Sequence, residues 1–119
     1  VLITSGCSHA LDLAVGVLAN PGDNIIIPRP GFALYSMICS FRGIEVKFMD
    51  LDPEKGWEVN ISSLKRAVNE RTKAILVNNP SNPCGSVYSK SHCEELLEAA
   101  KQLQLPIIAD EIYSEMAFD

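Results

Sequence analysis

The sequence Asn78-Asn79-Pro80-Ser81-Asn82-Pro83-Cys84-Gly85 decides the fold of this chain. It follows an apolar run, residues 74–77, and precedes a polar segment that opens a helix. Two prolines and a glycine in so short a stretch exclude a helix interior or a central strand, because proline has no amide hydrogen to donate. The stretch therefore predicts a rigid loop at the C-terminal end of a strand. In an open α/β sheet ligands bind at that edge, so the loop predicts the middle of a binding site.

The composition predicts one globular domain without a second one. The chain has 119 residues, 47% of them hydrophobic, which is enough for a single core. Its net charge is −5 and it has no basic cluster, so we expect neither nucleic acid nor a membrane surface as a partner. No apolar run approaches the ~20 residues of a membrane span. The four cysteines lack CxxC spacing, which favours reduced thiols in an intracellular protein over disulfides or a zinc site.

Both ends of the chain are apolar. Val1 lies within an apolar run, and Asp119 follows Met116-Ala117-Phe118. Natural domain boundaries are usually polar and flexible, so we expect a fragment, or a partly ordered piece, of something larger. The lack of a targeting segment is then uninformative, because the true N-terminus would be missing.

Strands and helices are predicted to alternate along the chain, since short apolar runs lie between stretches of helical periodicity. Residues 44–49 instead alternate apolar and charged residues, which predicts a strand nearer the sheet edge. The predicted strands are residues 1–4, 24–27, 44–49, 73–78 and 106–109. The predicted helices are residues 10–18, 32–41 and 61–68, and a last one from Ser89 or Ser91 to about Gln104. This alternation indicates an α/β fold with a mostly parallel sheet and helices on both faces. Right-handed crossovers would bring the C-terminal ends of the strands to one side.

Three finer expectations concern burial and backbone. The strand at residues 1–4 and the helix at residues 10–18 are apolar on most faces, so we expect both to be largely buried. Residues 50–60 are predicted to form a polar connection in which Trp57 is a packing anchor. The Asn–Pro bonds at residues 79–80 and 82–83 are expected to be trans, because cis is the minor form of such bonds.

A turn of small residues, Ser5-Gly6-Cys7-Ser8, separates the first strand from the first helix. Free amides, the positive end of a helix dipole and a nearby hydroxyl suit an anion such as phosphate. The alternative is that Ser8 is an ordinary N-cap. The chain contains neither GxGxxG nor GxxxxGK[ST], so the usual nucleotide loops are absent from it.

Asp110 directly follows the apolar residues 107–109, at the end of a buried strand. A buried carboxylate is costly unless it is paired. One interpretation is a helix cap or an ion-pair partner. The other is a fixed negative charge that faces a cationic ligand atom, such as a ring nitrogen that must stay protonated.

Other side chains near the predicted edge have two interpretations each. Asn82 could donate to a ligand oxygen or be a turn asparagine. Phe32 could stack on a flat ligand or belong to the core. Tyr113 could point its hydroxyl at the same ligand or cap the strand end. The remaining candidates are interpreted as structural or surface residues, with no metal site: His9, His92, Arg29, Cys7 and Cys84.

The two signature stretches resemble those of one enzyme family. The loop at residues 78–85 resembles the Asn-Pro-x-Asn-Pro-Thr/Cys-Gly signature of fold-type I aminotransferases of class I/II, which use pyridoxal 5′-phosphate (PLP). Residues 109–113 resemble the family's Ala-Asp-Glu-hydrophobic-Tyr signature, and Asp110 lies 28 residues after Asn82. Four further segments are similar to the tyrosine aminotransferase subgroup: residues 5–8, 28–32, 53–58 and 82–87. The resemblance implies that residues 1–119 are the central part of the PLP-binding large domain.

The resemblance also implies a role for each candidate, and we call this set the cofactor cradle: Gly6, Cys7, Ser8, Phe32, Asn82, Asp110 and Tyr113. Gly6, Cys7 and Ser8 would hold the PLP phosphate, and Phe32 would stack on the pyridine ring. The other members would bind the ring's polar atoms. Asn82 and Tyr113 would hydrogen-bond its phenolic oxygen, and Asp110 would pair with its nitrogen.

The expected reaction moves an amino group from an amino acid, aromatic in this subgroup, to a 2-oxo acid such as 2-oxoglutarate. The family's Schiff-base lysine lies downstream of the Asp-Glu-x-Tyr signature, yet no lysine follows Lys101 here. We therefore assign no catalytic residue and expect residues 1–119 alone to be unable to transaminate. The complete protein is expected to be a homodimer, in the cytoplasm rather than the mitochondrion.

Several alternatives to an aminotransferase stay open. A carbon–sulfur lyase or an aminocyclopropane-carboxylate synthase would use the same cradle, because fold does not fix the reaction. A PLP-fold pseudoenzyme would have the cradle but a replaced lysine. A generic nucleotide-binding module is disfavoured by the missing glycine-rich loops.

Overall fold

The computed structural model describes residues 1–117, so Phe118 and Asp119 at the apolar end lie outside the described residues. The helices are α1 (Gly6–Leu18), α2 (Ala33–Phe41), α3 (Ile61–Ala67) and α4 (Lys90–Leu103). The strands are β1 (Asn24–Arg29), β2 (Glu45–Asp52), β3 (Glu58–Val59), β4 (Thr72–Asn78) and β5 (Ile107–Asp110). Short 3₁₀ turns occupy Pro53–Lys55 and Ser114–Met116.

The strands form one sheet in the order β3-β2-β1-β4-β5. β1 runs parallel to β2 and β4, and β4 runs parallel to β5, whereas the short β3 is antiparallel to β2. The mostly parallel sheet predicted from the sequence is therefore confirmed. Because β1, β2, β4 and β5 run in one direction, their C-terminal ends share one edge of the sheet.

Helices cover both faces of the sheet, as predicted. Successive strand residues point to opposite faces, so Ile25 and Ile27 lie on one side and Ile26 lies on the other. The first face packs against α1 and α2, and its buried side chains include Leu11, Val15, Ile25, Ile27, Tyr35, Ile38, Leu76 and Ile108. The second packs against α3 and α4, with Ile26, Met49, Leu64, Ile75, Val77, Leu96 and Ala99.

Side-chain caps explain where the helices of the second face begin. The Ser89 hydroxyl accepts a hydrogen bond from the His92 amide (3.2 Å), so Ser89 is the N-cap of α4. Asn60 caps α3 in the same way, accepting from the Ser63 amide (2.9 Å). The sequence offered Ser89 or Ser91 as the cap, and the structure selects Ser89.

The predictions for the first eighteen residues are partly wrong. Residues 1–4 form no strand, and the side chains of residues 1–3 are exposed. A strand needs a neighbour for its backbone hydrogen bonds, and no strand of the described sheet pairs with this segment. α1 is also not largely buried. Only Leu11 and Val15 are fully covered, while Val17 is 84% exposed, because a single face of the helix meets the sheet.

Residues 50–60 are more regular than predicted. β2 continues to Asp52, whose carboxylate accepts from the Glu54 amide (3.0 Å) and starts a 3₁₀ turn. Gly56 and Trp57 both have φ near 63°, which turns the chain back so that β3 pairs with β2. Trp57 packs against the second core face, in agreement with its predicted anchoring role.

The trans expectation for the two Asn–Pro bonds is wrong. Both the Asn79–Pro80 and the Asn82–Pro83 bonds are cis, as is Arg29–Pro30. The expectation rested only on how often X–Pro bonds are cis, which takes no account of the contacts in a particular loop.

Glu58 provides a test of how β3 is attached to α4. Its carboxylate accepts from the Ser89 amide (3.0 Å) and hydroxyl (2.7 Å), and these bonds hold the pKa of Glu58 below its usual range. A lowered carboxyl pKa adds stability above the ordinary value, about 4.3, and that stability is lost as pH falls through the lowered value. We expect Glu58→Gln to lower the urea midpoint of the full-length protein at neutral pH and to flatten its decline as the pH falls below the ordinary carboxyl value, about 4.3.

The matched control is Glu54→Gln, since the Glu54 carboxylate forms no hydrogen bond or ion pair within residues 1–117. This variant should keep the wild-type pH profile. An unchanged profile in Glu58→Gln would contradict the assigned role of the carboxylate.

Candidate functional site

The C-terminal ends of β4 and β5 are joined by Asn78. Asn78 is buried and lies in register with Asp110. Its side-chain amide donates to the backbone oxygen of Asp110 (3.1 Å), and its side-chain oxygen accepts from the backbone amide of Asn82 (2.7 Å). One side chain thus fixes the start of the proline-rich loop to the neighbouring strand.

The Asp110 carboxylate is buried, with only 5% of the residue exposed. Oδ2 accepts a hydrogen bond from the Tyr35 hydroxyl at 2.8 Å. Oδ1 lies 3.5 Å from the Cys7 thiol and 3.3 Å from the Ile112 amide, both of which donate to it. Within residues 1–117, no lysine, arginine or histidine forms an ion pair with Asp110. The ion-pair interpretation of Asp110 is therefore wrong for the described chain.

The two side-chain donors to Asp110 keep their protons. Burial, followed by the hydrogen bond to Asp110, raises the pKa of Tyr35 far above its usual range. Burial and the charge of Asp110 likewise raise the pKa of the Cys7 thiol. Cys7 is therefore more than the small packing residue predicted from the sequence, because its thiol connects the first turn to the end of β5.

The turn at residues 5–8 becomes the start of α1. The helix begins at Gly6, which has φ of +80°, and the N-cap is Ser5, without a side-chain capping bond. Ser8 lies inside the helix, so the interpretation of Ser8 as an ordinary N-cap is wrong. Because Cys7 contacts Asp110, the N-terminal end of α1 lies beside the end of β5.

Asn82 and Tyr113 line the same open cavity, of about 470 Å³. The proline-rich loop forms one wall, with Pro80, Pro83 and Gly85, and the segment after β5 forms the other, with Tyr113 and Met116. The structure thus brings together two side chains that lie far apart in the sequence, next to the strand that ends at Asp110.

Phe32 lies at the start of α2 with 43% of the residue exposed, so it is not a core residue in this structure. Its ring meets that of Tyr35 edge to face, with centroids 5.8 Å apart and planes at 88°. Phe32 is therefore connected to Asp110 through Tyr35.

The residues interpreted as structural have structural contacts. The buried His92 accepts from the Val59 amide through Nε2 (3.0 Å), and His9 accepts from the Ser5 amide through Nδ1 (3.3 Å). Arg29 pairs with Asp50 (2.6 Å) on the surface. Cys84 packs against the second core face.

In the described part of the chain, no cluster of histidine, cysteine and acidic side chains is arranged to hold a metal ion. Within the same residues, no helix has the length and apolar character that a membrane crossing needs.

Sequence reasoning missed the roles of Tyr35 and Asn78. Tyr35 counted only as an apolar position of a helix, although a buried tyrosine hydroxyl usually requires a partner and so signals one. Asn78 ends an apolar strand, and an amide at such a position would signal a bridge between neighbouring backbones.

Comparison with known proteins decides the family. The sequence profile described as "Aminotransferase class I and II" matches residues 1–119. The chain belongs to this family. Human tyrosine aminotransferase is 53% identical over 118 residues, which cover 99% of this chain and 26% of that protein. An S-alkyl-thiohydroximate lyase of Arabidopsis thaliana is 39% identical, over 99% of this chain and 26% of that protein.

The fold agrees with that of solved family members. The crystal structure of tyrosine aminotransferase from Leishmania infantum superimposes with a TM-score of 0.92 and 44% identity, covering 94% of this chain and 30% of that one. The fold class and the family resemblance inferred from the sequence are thus confirmed. The chain spans about a quarter of the length of the curated relatives named above.

Replacing Asn78 should loosen the loop. Asn78→Ala leaves the Asn82 amide without its bond, and an unsatisfied buried group costs about 1–3 kcal/mol. The Asp110 carbonyl loses one of two donors but still accepts from the Asn79 amide (3.2 Å). We expect the free energy of unfolding of the full-length protein to fall by about 1–3 kcal/mol, measured by urea denaturation.

Asn20→Ala is the control, because the Asn20 side chain is exposed and forms no hydrogen bond in the described structure. A loss in Asn78→Ala no larger than in Asn20→Ala would show that the bridge contributes nothing to stability.

Proposed function

We propose that this chain supplies the cofactor-binding part of a PLP-dependent aminotransferase, which moves an amino group from an aromatic amino acid to a 2-oxo acid such as 2-oxoglutarate. One observation carries the proposal: Asp110 is a buried carboxylate that receives only neutral donors from residues 1–117. Such a charge favours a cationic ligand atom. Membership of the aminotransferase family supports PLP as the ligand.

The residues present fit PLP in charge and in hydrogen-bonding capacity. The protonated pyridine nitrogen is a cation for Asp110. The cavity beside β5 offers the Asn82 amide and the Tyr113 hydroxyl, which suit the phenolic oxygen. The N-terminal end of α1, with Gly6, Cys7 and Ser8, suits the phosphate because the helix dipole and the amides of Cys7 and Ser8 attract an anion. The Gly6 amide donates to the Thr4 carbonyl (2.9 Å) and shapes the turn. The partly exposed ring of Phe32 is free to stack on a flat ligand.

When bound, PLP supplies an electron sink for the breaking of bonds at the substrate Cα. Asp110 would hold the proton of the ring nitrogen, which makes the ring a better electron acceptor. Asn82 and Tyr113 would donate to the phenolic oxygen and so disperse its charge. The other members of the cradle would orient the ring and hold the phosphate.

Residues 1–119 lack one group that the reaction needs. The lysine that bonds the cofactor would lie after Tyr113, and no lysine follows Lys101 in this sequence. We expect these 119 residues, produced alone, to show no transfer of an amino group from tyrosine to 2-oxoglutarate. Measurable 2-oxo acid formation by this polypeptide would refute the expectation.

A carbon–sulfur lyase is the second candidate, because a relative named as such a lyase is 39% identical. The same cradle serves both reactions, so the two enzymes differ in the substrates that they convert. An aminotransferase releases a 2-oxo acid and consumes a second one, whereas a lyase releases a thiol without needing an acceptor. Assaying the full-length protein with both kinds of substrate separates the two.

The same proposal includes the oligomeric state, the substrates and the cellular location of the complete protein. The complete protein would act as a homodimer on small amino and 2-oxo acids, with residues 1–119 as the central part of its PLP-binding large domain. An intracellular, cytoplasmic location is proposed from the four cysteines, which are all free in the structure.

The proposal is tested by loading the full-length protein with PLP and reducing it with borohydride. Mass spectrometry should then find one pyridoxyl group covalently retained per chain. Protein without a retained pyridoxyl group would refute the enzyme proposal. If PLP nevertheless bound reversibly, the result would favour the pseudoenzyme.

A further inference from the structure

Of the three hydrogen bonds that residues 1–117 donate to the Asp110 carboxylate, the one from the Tyr35 hydroxyl is the shortest, at 2.8 Å. We propose that Tyr35 is a positioning residue for the cofactor's pyridine ring, acting through Asp110. This inference rests on the proposed function, since it assumes that Asp110 faces the ring nitrogen. It extends that function to α2, an element that supplies no polar group of the cradle.

The position of the Tyr35 hydroxyl is fixed by packing. Tyr35 is only 2% exposed and belongs to the first core face, between α2 and the sheet. Its ring is held edge to face by Phe32. A buried ring in such contacts has little freedom to turn, so the 2.8 Å bond to Oδ2 fixes where that oxygen lies.

A neutral donor suits this position better than a cation. An ionised carboxylate only accepts hydrogen bonds, so the Tyr35 hydroxyl must be the donor. It disperses the charge of Asp110 without cancelling it, and the attraction for a protonated ring nitrogen remains. A lysine or arginine in its place would neutralise Asp110 and compete with the cofactor. The Cys7 thiol, at 3.5 Å, is a weaker donor of the same kind.

The test compares Tyr35→Phe with Tyr88→Phe in the full-length protein. Both variants remove one hydroxyl from a buried tyrosine. The Tyr88 hydroxyl has no hydrogen-bond partner in the described part of the chain, and Tyr88 belongs to the opposite core face. Tyr88→Phe is therefore a matched control for the loss of a buried oxygen.

The readout is the dissociation constant of PLP and of its 1-deaza analogue, in which a C–H group replaces the ring nitrogen. A hydrogen bond to a charged group affects affinity by roughly tenfold. We expect Tyr35→Phe to weaken PLP about tenfold but the analogue less than about twofold, because Asp110 has no nitrogen to pair with in the analogue. Tyr88→Phe should change neither constant.

The outcomes separate the inference from the proposed function. Equal weakening of PLP and the analogue in Tyr35→Phe would reduce Tyr35 to a structural role and overturn the inference. Unchanged PLP binding in Tyr35→Phe would also overturn the inference. In both cases the enzyme proposal would still stand. If the wild-type protein bound no PLP, or bound PLP and the analogue equally, the pairing of Asp110 with the ring nitrogen would fail together with the inference.

Discussion

Replacing Asp110 with asparagine is expected to weaken PLP binding by the full-length protein about 30-fold to several thousandfold. Removing one partner of a buried charge pair costs about 2–5 kcal/mol, and every 1.4 kcal/mol is about a factor of ten in affinity. The variant keeps the shape of the side chain but not its charge, so the ring nitrogen would lose its counter-ion. Equilibrium titration with PLP, followed by absorbance, measures the effect.

The same variant should not destabilise the protein when PLP is absent. Asp110 has no cationic partner among residues 1–117, so asparagine removes a costly buried charge and can still accept from Tyr35 through its side-chain oxygen. Its amide group would replace the oxygen that accepts from Cys7 and Ile112, and the removed charge offsets the loss of these two longer bonds. A structural aspartate would behave in the opposite way. Reduced thermal stability of the PLP-free variant, with PLP affinity unchanged, would contradict a binding role for Asp110.

Asp12→Asn is the matched control. The substitution removes the same charge on α1, but Asp12 pairs with Arg42 (2.7 Å), which directly follows α2. It should leave the dissociation constant of PLP at the wild-type value.

Truncating Ile75 to alanine is expected to lower the free energy of unfolding of the full-length protein by about 2–5 kcal/mol. Ile75 is completely buried in β4 and belongs to the second core face, beneath α3 and α4. Alanine loses the transfer free energy of the missing carbons and leaves a cavity, because close-packed neighbours relax only in part. Urea denaturation at equilibrium measures the change.

Ile75→Val serves as the graded control, since it removes a single methylene group. Its cost should be about 0.5–1.5 kcal/mol. Equal costs for the valine and alanine variants would show that β4 is not packed as described.

Much of the fold could be predicted because its signals are local. The apolar runs that became β1, β4 and β5, and the alternating segment that became β2, are bounded by glycine, proline and asparagine. The caps of α3 and α4 are also short-range features. Residues 1–4 are equally apolar, yet they form no strand. Apolar sequence cannot by itself show whether a neighbouring strand is available.

The part of the site that could be predicted is the part in which the order and direction of the strands bring residues together. Asn82 and Tyr113 follow neighbouring parallel strands, so their shared cavity follows from topology. The contacts of Asp110 with Tyr35 and Cys7 could not be foreseen in the same way, because they join α2 and α1 to β5 across long sequence separations. The PLP contacts assigned to the cradle remain predictions.

The protonation state of the ring nitrogen tests the central claim most directly. Nuclear magnetic resonance of the full-length protein loaded with ¹⁵N-labelled PLP reports whether that nitrogen carries a proton. We predict the chemical shift of a protonated pyridinium in the wild-type protein at neutral and mildly alkaline pH, and that of a neutral pyridine in Asp110→Asn. The same shift in both proteins would contradict the claim that Asp110 holds the proton of the cofactor.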